Sequence, residues 1–203
     1  MDMQERKGTR WFWMASALWF AGLAAAFGLI ALEDGRAGAQ GTAPQVWPAE
    51  STMPAHDGRP TLVMFLHPHC PCSSASLGEF ERMIAQLDNA TLMIAFVKPE
   101  GTPQGWEDSG LMRRARGLPG VTILIDEGGT ESRRFGARTS GHLVVYGATG
   151  ELTFQGGITS ARGHEGDNVG RQGALAGARG AASCCAGTEV FGCSLDDEEC
   201  NER

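Results

Sequence analysis

The run Leu62-Val63-Met64-Phe65-Leu66 leads directly into His67-Pro68-His69-Cys70-Pro71-Cys72-Ser73, and beyond it Leu77, Phe80, Ile84 and Leu87 recur at helical spacing. A short unbroken apolar run bounded by proline reads as a buried strand, and the recurrence after it reads as a helix with one apolar face. Ser73 or Ser76 stands where a helix cap is needed, and Ser76-x-x-Glu79 has the spacing of a capping box. The stretch therefore predicts strand, turn and helix, with two cysteines on the turn. A thiol at that place meets unpaired backbone N–H groups and the positive end of the helix dipole, which favour the thiolate. Cys70 is the candidate nucleophile. Cys72 is placed to resolve a mixed disulfide by closing a very small ring, and so small a ring is strained and easily reduced. As a structural staple the pair would be poor, because closing so short a loop removes little entropy from the unfolded chain.

Outward from this turn the same alternation continues. Leu92 to Val97, Val121 to Ile125, Leu143 to Tyr146 and Leu152 to Phe154 read as further buried strands. Asp108 or Ser109 caps a short helix reaching Ala115, Thr130 to Phe135 gives another turn or two stopped by Gly136, and a final helix falls near Val169 to Ala178. Ala148-Thr149-Gly150 reads as a tight turn that makes the last two strands an antiparallel hairpin. Strands alternating with helices and finished by a hairpin and a helix give an α/β layered domain with a mixed sheet.

Composition agrees with one globular domain in 203 residues: 42% are hydrophobic and 20% charged. A net charge of −7 gives no footprint for nucleic acid. Glycine is in excess, at 29 residues, but follows no every-third-residue period, so it marks turns rather than a collagen-like rod. At the amino terminus, Trp11 to Leu32 carries 22 residues without a charge. At about 1.5 Å of rise per residue that is enough helix for a bilayer core of about 30 Å. Arg6, Lys7 and Arg10 precede it and Glu33 and Asp34 follow. The bias of positive charge then keeps residues 1–10 in the cytoplasm, makes 11–32 a transmembrane anchor and exports the rest to the periplasmic side. Ala37-Gly38-Ala39 also has the form a signal peptidase accepts, so a cleaved and secreted form is the other reading. Residues 33–45 read as a tether, 46–182 as the domain and 183–203 as an acidic tail with Cys184, Cys185, Cys193 and Cys200. Outside the reducing cytoplasm disulfides persist, and four tail cysteines allow three full pairings among which sequence does not choose. A structural clasp is the default for them, and an electron relay to Cys70 the alternative.

The arrangement resembles the thioredoxin-like superfamily, in particular its membrane-anchored branch similar to TlpA and the RedB-like group. The resemblance covers about residues 46–180. It rests on Leu62 to His67 leading into Cys70-Pro71-Cys72, on Val121 to Asp126 followed by Phe135-Gly136, and on His142 to Tyr146 with Gly150 and the strand after it. It implies a thiol-disulfide oxidoreductase in which Cys70 and Cys72 are catalytic, no organic cofactor is bound, and the partner is an exported or membrane protein carrying thiols or disulfides. Two features differ from the family pattern. Its cysteines have two residues between them where here only Pro71 intervenes, and its cis-proline loop, which docks substrate peptide, is Thr139-Ser140-Gly141-His142 here.

The resemblance also places His142 near the cysteine turn, which opens a second function. Two thiolates and an imidazole suit Cu(I), and copper chaperones of the Sco type are similar in fold and anchoring. The alternative is therefore a copper metallochaperone using Cys70, Cys72 and His142. His67 and His69, if protonated, would raise the thiolate population of the turn. The loop Arg162-Gly163-His164-Glu165-Gly166-Asp167-Asn168 reads first as a turn capping the last helix, through Asp167 or Asn168, and second as a binding loop beside the turn.

Overall fold

The computed structural model describes residues 3–54, 57–181, 185 and 187–195, with side chains from residue 9 onward. The chain divides into two compact units, Met1–Arg36 and Ala37–Arg203. The first is the single helix α1 (Met3–Asp34). Its portion Thr9–Asp34, 26 residues with none of its apolar window buried, is long and apolar enough to cross a membrane.

In the second unit the elements follow as β1 (Thr61–Leu66), α2 (Ser73–Ile84), β2 (Thr91–Lys98), α3 (Gly110–Arg116), β3 (Val121–Glu127), α4 (Thr130–Arg134), β4 (His142–Tyr146), β5 (Leu152–Gly156) and α5 (Val169–Ala178). Five strands form one sheet in the order β3-β2-β1-β4-β5. The first three are parallel, while β4 runs antiparallel to β1 and β5 antiparallel to β4. β1 is thus the central strand, buried along its whole length, which is why its sequence is an unbroken apolar run.

Alternation along the strands divides the interior in two. Leu62, Met64, Leu66, Ile94, Phe96, Leu143 and Val145 face α2, α3 and α5, where Leu77, Phe80, Met83, Met112, Ala115 and Leu175 meet them. Each large side chain so buried contributes about 1.5–3 kcal/mol. Val63, Phe65, Met93, Val97, Val144 and Tyr146 face the other side, closed by Phe135 beyond α4, by Ala43 and Met53, by Trp47, and by Leu195 of the tail. Trp47 lies edge-on to Phe135 and Tyr146, at ring separations of 5.0 and 5.3 Å.

Three local expectations are changed. Ser76 lies inside α2, whose N-cap is Cys72 with no side-chain capping bond, so the Ser76–Glu79 capping box does not form, and Leu87 lies past the end of the helix. The stretch 33–45 read as a tether is packed from residue 38 onward. Gly38 N–H donates to Val190 O, Gly41 N–H to Gly136 O, Ala43 N–H to Gln155 Oε1, and the Tyr146 hydroxyl to Pro44 O. The tail, read as a separate segment from residue 183, contributes Val190, Phe191 and Leu195 to the interior; Cys184 and Cys200 lie outside the described residues. The other caps fall as the sequence indicates: Ser109 accepts from Met112 N–H at 3.1 Å and Asn168 from Arg171 N–H at 2.8 Å.

Glu79, fully buried, is engaged elsewhere. It accepts from Arg171 Nη1 of α5 at 2.6 Å, from Gly166 N–H at 2.8 Å and from Arg82. One carboxylate thus ties the helix behind the cysteine turn to α5 and to the loop before it. Glu79→Ala leaves the Arg171 guanidinium, itself mostly covered, without its buried partner. Urea unfolding of the full chain in detergent is expected to show a loss of about 3 kcal/mol; a loss under about 1 kcal/mol would mean that the tie is not structural.

Candidate active site

β1 ends at Leu66 and α2 begins at Ser73, so the six residues between them turn the chain over the end of the sheet. Ser140, fully buried in the loop before β4, fixes this turn from below. Its Oγ accepts from His67 N–H at 2.7 Å and lies 2.6 Å from Ser73 Oγ, binding the end of the strand to the start of the helix. Next to it, Gly141 adopts φ +96° and donates to Phe65 O at 2.8 Å. A Cβ there would strike Ser76 Oγ at 2.6 Å, so both the dihedral and the space call for glycine.

Cys70 is 4% exposed. On one side it lines a shallow cleft of about 350 Å³ with Pro68, Pro71, Ser74, Leu111 and Arg114. On another side the tail covers it, and Cys193 N–H points at Cys70 Sγ from 3.4 Å. The Cys70 thiol is lowered from 9.0 to about 5, first by the hydrogen bond from the Cys193 thiol, then, against the opposing cost of burial, by the hydroxyl and backbone of Ser73 and by the Cys193 amide. Cys193 is correspondingly pushed up, chiefly by the same bond to Cys70 and by burial. The first proton to leave this pair therefore comes from Cys70. Cys72 is half-buried and also raised, by burial and by the Cys70 charge, while Arg162 beside it opposes that rise.

Three thiols and one guanidinium therefore meet where two cysteines were expected. The helix start contributes through Ser73, as anticipated, but the larger influence on Cys70 is Cys193, 123 residues away. Arg162, in the loop read first as a turn, stands beside both Cys72 and Cys193. Its signal in the sequence was only a charged residue in a glycine-rich loop.

The histidines take other roles. His67 is buried and its pKa is lowered, mainly by desolvation, so at neutral pH it supplies no positive charge to the thiolate. Its Nδ1 accepts from His69 N–H at 3.2 Å, and His69 in turn contacts Trp106 O through Nε2 at 2.7 Å. His142 pairs in register with Phe65. Alternation along β4 puts it on the face of Val144 and Tyr146, opposite α2. It lines a separate cleft with Gln40, Gln155 and Glu189, and among the described residues neither ring nitrogen has a hydrogen-bond partner. The expectation that His142 joins Cys70 and Cys72 as a ligand is thereby corrected, because one residue of strand register sends its ring to the other side of the sheet. Among the described residues no group of three or more His, Cys, Asp or Glu side chains is gathered to hold a metal ion.

Two measurements check this electrostatic picture. Alkylation of Cys70 by iodoacetamide is expected to rise through a midpoint near pH 5; a midpoint near 9 would mean that the thiol ionises as it does in free solution. Burial lowers His142 to about 4. The unfolded chain, with an ordinary histidine, takes up that proton first, so stability falls as pH drops from about 6.5 to about 4 and the effect levels off below. Relative to His142→Leu, the wild-type chain is expected to lose about 3 kcal/mol over that window. Parallel pH curves for the two proteins would place the histidine in contact with water.

No protein-family model matches the chain, and no curated protein matches it. Solved structures do. An uncharacterized conserved protein from Geobacillus kaustophilus aligns with a TM-score of 0.58 at 16% identity, over 80% of this chain and 90% of that one. A hypothetical protein from Sinorhizobium meliloti 1021 aligns at 0.56 and 16% identity, over 79% and 95%. A secreted Mycobacterium tuberculosis disulfide oxidoreductase homologous to E. coli DsbE aligns at 0.40 and 21% identity, over 48% and 69%. With a central β-α-β unit, an antiparallel closing hairpin, helices on both faces and a cysteine turn at the head of α2, the chain has a thioredoxin-like fold.

Proposed function

We propose that this protein is an exported, membrane-tethered thiol-disulfide oxidoreductase of the branch similar to TlpA and the RedB-like group, with Cys70 as its nucleophile. The observation that carries the reading is a cysteine at a strand-to-helix turn whose pKa is lowered to about 5, beside a second thiol two residues on. At neutral pH Cys70 is then a thiolate, the form that attacks a disulfide. Attack breaks the partner's S–S bond and forms a mixed disulfide with Cys70. Cys72 then displaces the partner's remaining sulfur from Cys70, closing Cys70–Cys72 and leaving the partner reduced by two electrons; the reverse sequence oxidises it. The cleft beside Pro68, Pro71 and Leu111 is the approach open to a partner peptide. α1 supports a tether or export signal, and the partners would be exported or membrane proteins carrying thiols or disulfides.

The copper reading is not favoured, since His142 lies across the sheet from the cysteines. Two tests apply to the oxidoreductase. The full chain in detergent is expected to equilibrate a Cys70-dependent disulfide with glutathione buffers, and Cys70→Ser to abolish it. In intact cells, a maleimide that cannot cross the inner membrane is expected to label Cys70. A chain that exchanges with no ratio of glutathione to its disulfide would overturn the activity, and labelling only after lysis would overturn the export.

A further inference from the structure

The described tail is built onto the site at several points. Gly187 bridges Gln155, Thr188 N–H donates to Gln155 O, and Thr188 Oγ1 donates to Gly157 O at 2.7 Å. After the buried Val190 and Phe191, the tail pairs antiparallel with the loop that holds the turn. Ser194 bridges Thr139, Ser140 N–H donates to Cys193 O at 2.8 Å, and Leu195 N–H to Arg138 O at 2.8 Å. Gly192 lies so close to this loop that a Cβ on it would stand 2.0 Å from Ser140 O. The tail is thus fixed on both sides of Cys193, and the residue it delivers to Cys70 is a cysteine. The amide at 3.4 Å puts the Cα of Cys193 within about 5 Å of the Cys70 sulfur. Among the described residues, none from the tail lines the cleft on the other side of Cys70. A partner sulfur bonded to Cys70 from the cleft and an attacking sulfur from the tail therefore approach from different sides, as displacement at sulfur requires.

We propose that Cys193 is a third redox thiol, and that the oxidised chain rests as a Cys70–Cys193 disulfide. The inference rests on Cys70 being the nucleophile of a thiol-disulfide oxidoreductase. It adds the destination of the oxidising equivalent.

In the step, the Cys193 thiolate attacks Cys70 Sγ, the Cys70–Cys193 bond forms, and the bond from Cys70 to its previous partner breaks. If that partner is Cys72, it leaves as a thiolate and takes up the proton given by Cys193, an isomerisation with no net electron transfer. If it is the substrate, the substrate sulfur leaves as the thiolate and is reduced. The two electrons come from Cys70 and Cys193, and the oxidant is the substrate disulfide. The direction follows from ring size: Cys70–Cys72 closes a very small ring, whereas Cys193 reaches Cys70 from a separate segment without that constraint. The timing follows from charge. While Cys70 is a thiolate it keeps the proton on Cys193, and once Cys70 is bonded its share of that hold is removed, so Cys193 gives up the proton more readily, with burial still opposing and Arg162 helping.

Full-length protein in detergent, oxidised with glutathione disulfide, acid-quenched and digested, is expected to yield the Cys70–Cys193 linkage as its main disulfide, and Cys72→Ser to yield it as well. Cys193→Ser is expected to require at least about a tenfold higher ratio of glutathione disulfide to glutathione for half-oxidation, about 1.4 kcal/mol at about 25 °C. Thermal melting of each variant checks folding. A main Cys70–Cys72 linkage, a Cys193 bonded to Cys184, Cys185 or Cys200, or equal half-oxidation points would overturn the inference and leave the oxidoreductase reading intact. Absence of any disulfide at Cys70 would overturn both.

Discussion

A negatively charged sulfur withdrawn from water persists only where protein donors replace the lost hydration. Around Cys70 those donors come from two directions in the chain, Ser73 at the start of α2 and Cys193 near the carboxyl terminus. Both are held by a third segment, the loop at Ser140, whose hydroxyl secures the turn and whose amide secures the tail. Three further features bear on keeping these segments in register. The sheet sets β1 beside β4, Glu79 anchors α2 to α5, and Gly141 lets the loop approach the helix.

The parts legible in the sequence are those with a period. All five strands and the later helices fall where apolar runs, caps and turn glycines indicate, although β3, read as a buried strand, has only Asp126 buried. The cysteine turn was legible too, since its meaning comes from lying between a strand and a helix. What escaped has no period. Residues 37–47 and 187–195 are irregular, held by backbone hydrogen bonds to distant parts of the chain, and nothing local distinguishes such a segment from a tether or an exposed tail. Nothing marks Cys193 out from the other tail cysteines, and a relay to Cys70 is only the alternative to a clasp, because its spacing from Cys70 says nothing about contact. His142 escaped differently, because the face a strand residue takes depends on register, and register is decided by pairing with β1.

Glu79 teaches a related point. Its spacing from Ser76 satisfies a local rule for helix starts, yet the carboxylate meets Arg171 on α5 and the amide of Gly166. A local motif was outcompeted by a buried charge that needs stronger partners than a single backbone amide. The same residue then holds Gly166, in the loop that carries Arg162 four residues earlier, so one carboxylate anchors the segment whose cation stands beside Cys72.

Gly192 carries one more consequence, and it concerns descent rather than mechanism. The seat of the tail depends on a residue that contributes no chemistry, only the missing atom that lets two backbones touch. Among relatives, retention of glycine at that position would mark an inherited fit of the arm even where the neighbouring sulfur has been lost, whereas a bulky residue there would mark its release. The history of such an arm is better traced through its shape than through its reactive atom.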